Sequence, residues 1–105
     1  MPKRPVHPGE VLSEDVLAPL AISANKLAQA LRVPTNRITE IIAGRRTVTA
    51  DTALRLSRYL GTSPEFWLGL QAEYDLDLAR IEAAKRIKRE IRPLSAARFL
   101  STRSG

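Results

Sequence analysis

Residues 23–46, "SANKLAQALRVPTNRITEIIAGRR", decide the fold. Ser23 suits a helix N-cap, where its hydroxyl satisfies one of the N–H groups that the first turn leaves without a partner. Leu27, Ala28 and Leu31 then fall on one face of "ANKLAQALR". Val33-Pro34 ends this helix, because the residue before a proline is pushed out of the α region. A second helix begins at once, with Ile38, Ile41 and Ile42 on one side, and Gly44 stops it in the left-handed conformation. A join of only about three residues sets a steep crossing angle, the layout of a helix-turn-helix.

Turning by about 100° per residue, the second helix points Asn36, Glu40 and Ala43 away from the isoleucines, with Arg37 and Thr39 beside them. Such a small, mixed polar face suits base edges. Asn pairs bidentately with adenine and Arg with guanine, Glu accepts from cytosine, and a Thr methyl meets that of thymine. Gly44-Arg45-Arg46-Thr47 follows as a loop carrying two guanidiniums and a hydroxyl, matched to phosphate oxygens. Ser23, Asn25 and Lys26 are the expected phosphate contacts on the other flank. Taken singly, each of these residues reads equally well as the solvated side of a surface helix. Together, the tight turn, the polar face and the Gly-Arg-Arg exit point to DNA.

Outward from this core every periodic segment reads as helix, and neither sustained alternation nor an Asn-Gly or Asp-Gly hairpin signal occurs. Pro8 suits a first helical position, and Val11, Leu12, Val16 and Leu17 follow until Pro19, the expected stop. Thr49 or Asp51 caps "ADTALRLSRYL", which carries the apolar Ala53, Leu54, Leu56 and Leu60, and Gly61 closes it. Ser63-Pro64-Glu65 starts a last helix running through Trp67 toward Ile91, with Pro93 as its limit. Trp67 is expected in the core. Leu76, Leu78, Ile81, Ile87 and Ile91 exceed what one buried face needs, and a second copy of the chain is the economical cover. For the tail "LSAARFLSTRSG" one marginal turn or disorder is expected.

The 105 residues suit one domain, here 1–80, followed by a basic helix end and tail at 81–105. The net charge of +6 lies entirely in residues 80–105. Residues 1–79 hold nine Lys/Arg and nine Asp/Glu, whereas residues 80–105 hold eight Lys/Arg against Glu82 and Glu90. Such an excess either attracts a polyanion or merely solvates a helix end. The chain has no cysteine, which rules out thiolate metal sites and cysteine nucleophiles. His7 has no second histidine to complete a transition-metal set, and is expected to serve the start of the first helix. With no glycine-rich phosphate loop and no nucleophile–base pair, neither catalysis nor a cofactor is expected. No secretory signal or membrane span is expected either, and the expected location is the cytoplasm, at the nucleoid.

Residues 22–67, "ISANKLAQALRVPTNRITEIIAGRRTVTADTALRLSRYLGTSPEFW", resemble the Xre/Cro-type, lambda-repressor-like helix-turn-helix domain. The flanking "HPGEVL" and "SPEFWLGLQAEYDL" resemble the HigA subgroup, the antitoxins of type II toxin–antitoxin pairs. The resemblance implies an all-α, compact five-helix domain, here with a helical basic C-terminal extension. It also implies a bacterial homodimer that represses its own promoter by binding a palindromic operator in double-stranded DNA. A further implied partner is a small RelE-like, HigB-like toxin that cleaves mRNA and is neutralised by direct binding. The family's recognition positions fall on Thr35, Asn36, Arg37, Thr39 and Glu40, and its phosphate loop on Arg45 and Arg46. One departure is Arg32, where such domains carry glycine; a left-handed non-glycine residue costs about 1 kcal/mol, so the turn is either strained or differently shaped. Two other functions fit the residues. One is a stand-alone repressor without a toxin. The other is a protein–protein adaptor whose DNA binding is weak, sequence-blind and carried by residues 80–105.

Overall fold

A computed structural model describes residues 4–94, and every regular element among them is a helix. We number five. α1 covers residues 8–20 in three continuous pieces, Pro8–Val11, a π-helical stretch Leu12–Leu17, and Ala18–Leu20. α2 is Ala24–Leu31, α3 Thr35–Ile42, α4 Ala50–Leu60 and α5 Pro64–Glu90. The all-helical, five-helix architecture agrees with the sequence expectation. Where "LSAARFLSTRSG" passes Leu94, the expected turn lies outside the described residues.

Most boundaries follow from local chemistry. Ser23, Thr49 and Ser63 each accept a hydrogen bond from the N–H of Lys26, Thr52 and Phe66 respectively. Thr49 is thus the α4 cap, and Asp51 is left to pair with arginines. Gly61 closes α4 at φ 80°, and Gly44 (φ 76°) lets Arg45 N–H return to the Glu40 carbonyl. Arg32 does adopt the left-handed conformation, at φ 61°, and its N–H still reaches the α2 carbonyls. The turn therefore keeps its shape and carries the strain.

Pro19 does not stop α1. The helix continues to Leu20 and ends at Ala21, which is left-handed at φ 54°. Its π stretch lets the Ala18 N–H bond to the Ser13 carbonyl five residues back, and a proline just beyond this widened turn has no N–H to place. The same widening buries both Leu12 and Leu17, which would stand about 140° apart on a regular α-helix.

The core gathers Leu12 and Leu17 of α1, Leu27, Ala28 and Leu31 of α2, Ile38 and Ile41 of α3, Val48, Ala53 and Leu56, and Trp67 of α5. Val33 and Ile42 pack against it half-buried. Leu54 does not join them and is 60% exposed, a step of about 100° around α4 from Ala53. Trp67 is fully buried as expected, and its indole N–H donates to Thr62 Oγ1 at 2.8 Å. Truncating such an anchor typically costs about 3–5 kcal/mol.

Only the first half of α5 takes part in this packing, burying Trp67 and Gln71. The helix is about 40 Å long and passes residue 80 without a break. Beyond Leu78 every described residue except Ala83 is exposed, including Ile81, Ile87 and Ile91.

Candidate nucleic-acid interface

α3 is held from behind by backbone. The first turn of α1 lies so close to the end of α3 that a Cβ placed on Gly9 would stand 1.7 Å from the Ile41 carbonyl oxygen. His7 caps this turn, its Nδ1 accepting the Gly9 N–H at 2.9 Å. The imidazole also lies against the loop after α3, beside Gly44, and meets the Tyr74 ring edge-on at 4.9 Å. Burial holds its pKa below the ordinary value, with Asp75 and the Arg46 backbone pulling the other way. A neutral His7 thus ties the start of α1 to the loop after α3 and to α5.

The same loop is fastened a second time. The buried Gln71 of α5 accepts the Val48 N–H at 2.8 Å and donates to Asp75 Oδ1 at 3.0 Å. Among the described residues no buried side-chain polar atom lacks a partner. The exit of α3 is therefore framed by hydrogen bonds that belong to the protein.

On the outer side of α3, Thr35, Asn36 and Thr39 are exposed, and Arg37 and Glu40 flank them half-buried. Thr35 Oγ1 donates to Asn25 Oδ1 at 2.7 Å, joining the two helix starts. Thr39 Oγ1 donates to the Asn36 carbonyl at 3.3 Å. Glu40 and Arg46, expected to meet base and phosphate separately, pair with each other, Nε–Oε1 2.8 Å and Nη2–Oε1 2.6 Å. Such a solvent-exposed pair is weak and can exchange for a ligand. Lys26, Arg45 and Thr47 are exposed, and neither cation makes an ion pair among the described residues. Ser23 Oγ is occupied as an acceptor by its cap, which leaves the hydroxyl proton.

Arg37 is anchored in a way the sequence did not show. Its Nη1 donates to Asp51 Oδ2 at 3.0 Å, and the same oxygen accepts Arg55 Nε at 2.9 Å. Arg55 in turn donates through Nη1 to the Leu31 carbonyl at 2.8 Å. Asp51, Arg55, Gln71 and Gly9 all support the face, and none was a sequence candidate. Gln71 had one signal, a polar residue one turn after Trp67 on an otherwise apolar face. Among the described residues no group of His, Asp and Glu could hold a metal ion, and no helix is long and apolar enough to cross a membrane.

The arrangement matches known proteins in sequence and in shape. The helix-turn-helix family profile matches residues 15–67. The virulence-associated protein I of Dichelobacter nodosus is 51% identical over 74 residues, covering 70% of this chain and 68% of that protein. An addiction module antidote protein of the HigA family from Coxiella burnetii superposes with a TM-score of 0.83 at 50% identity, over 88% of this chain and 100% of the other. The Pseudomonas aeruginosa antitoxin HigA, solved with the higBA promoter, gives a TM-score of 0.84 at 44% identity, over 87% of this chain and 99% of its own.

Proposed function

The chain belongs to the HigA family of Xre-type helix-turn-helix proteins, and from that premise we propose that it is a sequence-specific DNA-binding autorepressor and the antitoxin of a type II toxin–antitoxin pair. One observation carries the proposal. The face of α3 opposite the isoleucines is open, in a frame that superposes on a relative solved with promoter DNA. In this reading α3 enters the major groove of the operator. Thr35, Asn36, Arg37, Thr39 and Glu40 meet base edges, while Ser23, Asn25 and Lys26 on one side and Arg45, Arg46 and Thr47 on the other hold phosphates. The protein acts by binding and performs no reaction of its own.

The exposed Leu76, Ile81 and Ile87 of α5, with Ile91 just past its end, support a homodimer, whose two α3 helices, about 34 Å apart, would match a palindrome. Residues 1–80 form the DNA-binding unit in this proposal, and the basic residues Lys85, Arg86, Lys88, Arg89 and Arg92 add sequence-blind attraction to phosphate. The acidic residues Glu10, Glu14 and Asp15 of α1 and Glu73, Asp75 and Asp77 of α5 would be charge-complementary to a basic RelE/HigB-like ribonuclease toxin, Glu10 exchanging its pair with Arg4. Autorepression and toxin neutralisation place the protein in the cytoplasm, at the nucleoid.

Fluorescence anisotropy on the duplex upstream of its own gene, against a shuffled duplex at physiological salt, tests the proposal. A preference of about 10³ or more is expected. Arg37→Ala or Asn36→Ala should each remove about 1–3 kcal/mol of operator binding, whereas Lys26→Ala and Arg45→Ala should weaken both duplexes alike. Equal, salt-sensitive binding of both duplexes by the wild type would leave the sequence-reading function without support.

A further inference from the structure

We infer that Asp51, outside the reading face, sets the sequence discrimination of this interface by holding Arg37 in one orientation and keeping it off phosphates at other sites. The inference rests on the DNA reading proposed for α3. An unbroken line of contacts carries it, from the Leu31 carbonyl at the end of α2, through Arg55 and Asp51 of α4, to Arg37 of α3. Arg55 is i+4 from Asp51 and is itself fixed to backbone, so it fixes the carboxylate. The carboxylate, solvent-exposed but tethered in this way, then restricts Arg37, the one arginine of α3, more than a free surface carboxylate would. Asp51 stays ionised at neutral pH, its carboxyl held below the usual range by the Arg55 hydrogen bond first and by Arg37 as well.

Two physical effects follow. An arginine has several rotatable bonds, and ordering them on docking opposes binding; a guanidinium already held by Asp51 has less freedom left to lose. Its unused N–H groups remain in the planar fork that bidentate guanine contact requires. At the wrong sequence the effect reverses. Asp51 carries one negative charge between the two guanidiniums it binds, so it reduces the positive charge that Arg37 offers a phosphate, and with no proton to donate it adds no phosphate contact of its own. Discrimination is gained from both sides, by support at the operator and by a weakened phosphate contact elsewhere. Asp51 acts only through the arginines and is a positioning residue.

The test uses the full chain as wild type, Asp51→Asn, Asp51→Glu, Arg37→Ala, and the double variant Arg37→Ala/Asp51→Asn. Each is titrated onto operator and shuffled duplexes over a salt series, and a melting curve by circular dichroism checks that each is folded. Asp51→Asn should weaken operator binding and tighten shuffled binding, lowering the ratio by about tenfold, with the salt slope on shuffled DNA steeper by up to about one. Asp51→Glu should recover part of the ratio, because it restores the charge. In the Arg37→Ala background Asp51→Asn should no longer change the ratio. A helix-stabilising role alone would move the melting curve and leave both ratio and slope in place. The inference is overturned if Asp51→Asn keeps the wild-type ratio, or if it loses the same factor with and without Arg37. A wild type that does not prefer its operator would instead overturn the DNA-reading proposal, and this inference with it.

Discussion

Replacing Gly9 by alanine should loosen the whole mounting of α3, although Gly9 touches no DNA in the proposed complex. The added Cβ would lie 1.7 Å from the Ile41 carbonyl oxygen, 2.5 Å from its carbon and 2.9 Å from the Ile42 Cα, where real contacts are not shorter than 3.0 Å. All three atoms are backbone, so no rotamer change relieves the overlap, and α1 must move away from α3. Overpacking of this kind costs about 1–3 kcal/mol, and a rigid neighbour puts Gly9 at the upper end. Alanine's better helix propensity returns roughly 0.5–1 kcal/mol. The net expectation is a loss of about 2 kcal/mol, or on the order of 10 °C in Tm for a domain of this size. Gly69 is the internal control, since it also lies in a helix but a Cβ there meets nothing within 4 Å. Gly69→Ala should therefore gain roughly 0.5–1 kcal/mol. Urea and thermal unfolding followed by circular dichroism, at one protein concentration for all variants, separate the two. If Gly9→Ala melts at or above the wild-type temperature while Gly69→Ala behaves as expected, the close approach of α1 to α3 is not what holds the interface.

Arg32→Gly should raise the urea midpoint at unchanged slope by relieving the left-handed residue, a gain of up to about 1 kcal/mol; a lower midpoint would mean that the Arg32 side chain contributes more than its backbone costs. His7 should titrate below 6.5 by NMR, because its lowered pKa means that the folded state prefers the neutral ring. The corresponding stability is complete above the unfolded value near 6.5 and is lost as pH falls through the lower folded value, so His7→Gln should flatten the fall in stability between pH 7 and 5. An unchanged slope in that variant would assign the pH dependence to other groups. Ile87→Glu, at a position 45% exposed in the single chain, should leave the fold intact and halve the mass measured by sedimentation; an unchanged dimer would move the interface away from the distal part of α5.

Helix positions were legible because their causes are short-range. Ser23, Thr49 and Ser63 cap N–H groups three residues away, and Gly44 and Gly61 end helices by their own backbone freedom. The isoleucine stripe of α3 likewise defined an opposite face without reference to the rest of the chain. Pro19 departs from the sequence expectation because the rule that proline stops a helix assumes α geometry, and the π stretch before it removes that assumption.

By itself the sequence determined an all-helical chain with a tight helix–turn–helix at its centre, one apolar and one polar side to α3, and a basic end. Periodicity, capping and charge are local properties, and a single strand of letters contains them. Only the tertiary structure decided what supports that polar side. Gly9 meets Ile41, Gln71 meets Val48, and Asp51 meets Arg37 across separations in sequence that no local rule spans. Those pairings exist because burial of the shared core sets α1 against α3, and α4 and α5 around the same core, at one particular depth, and a hydrogen bond or a missing Cβ matters only once that depth is set.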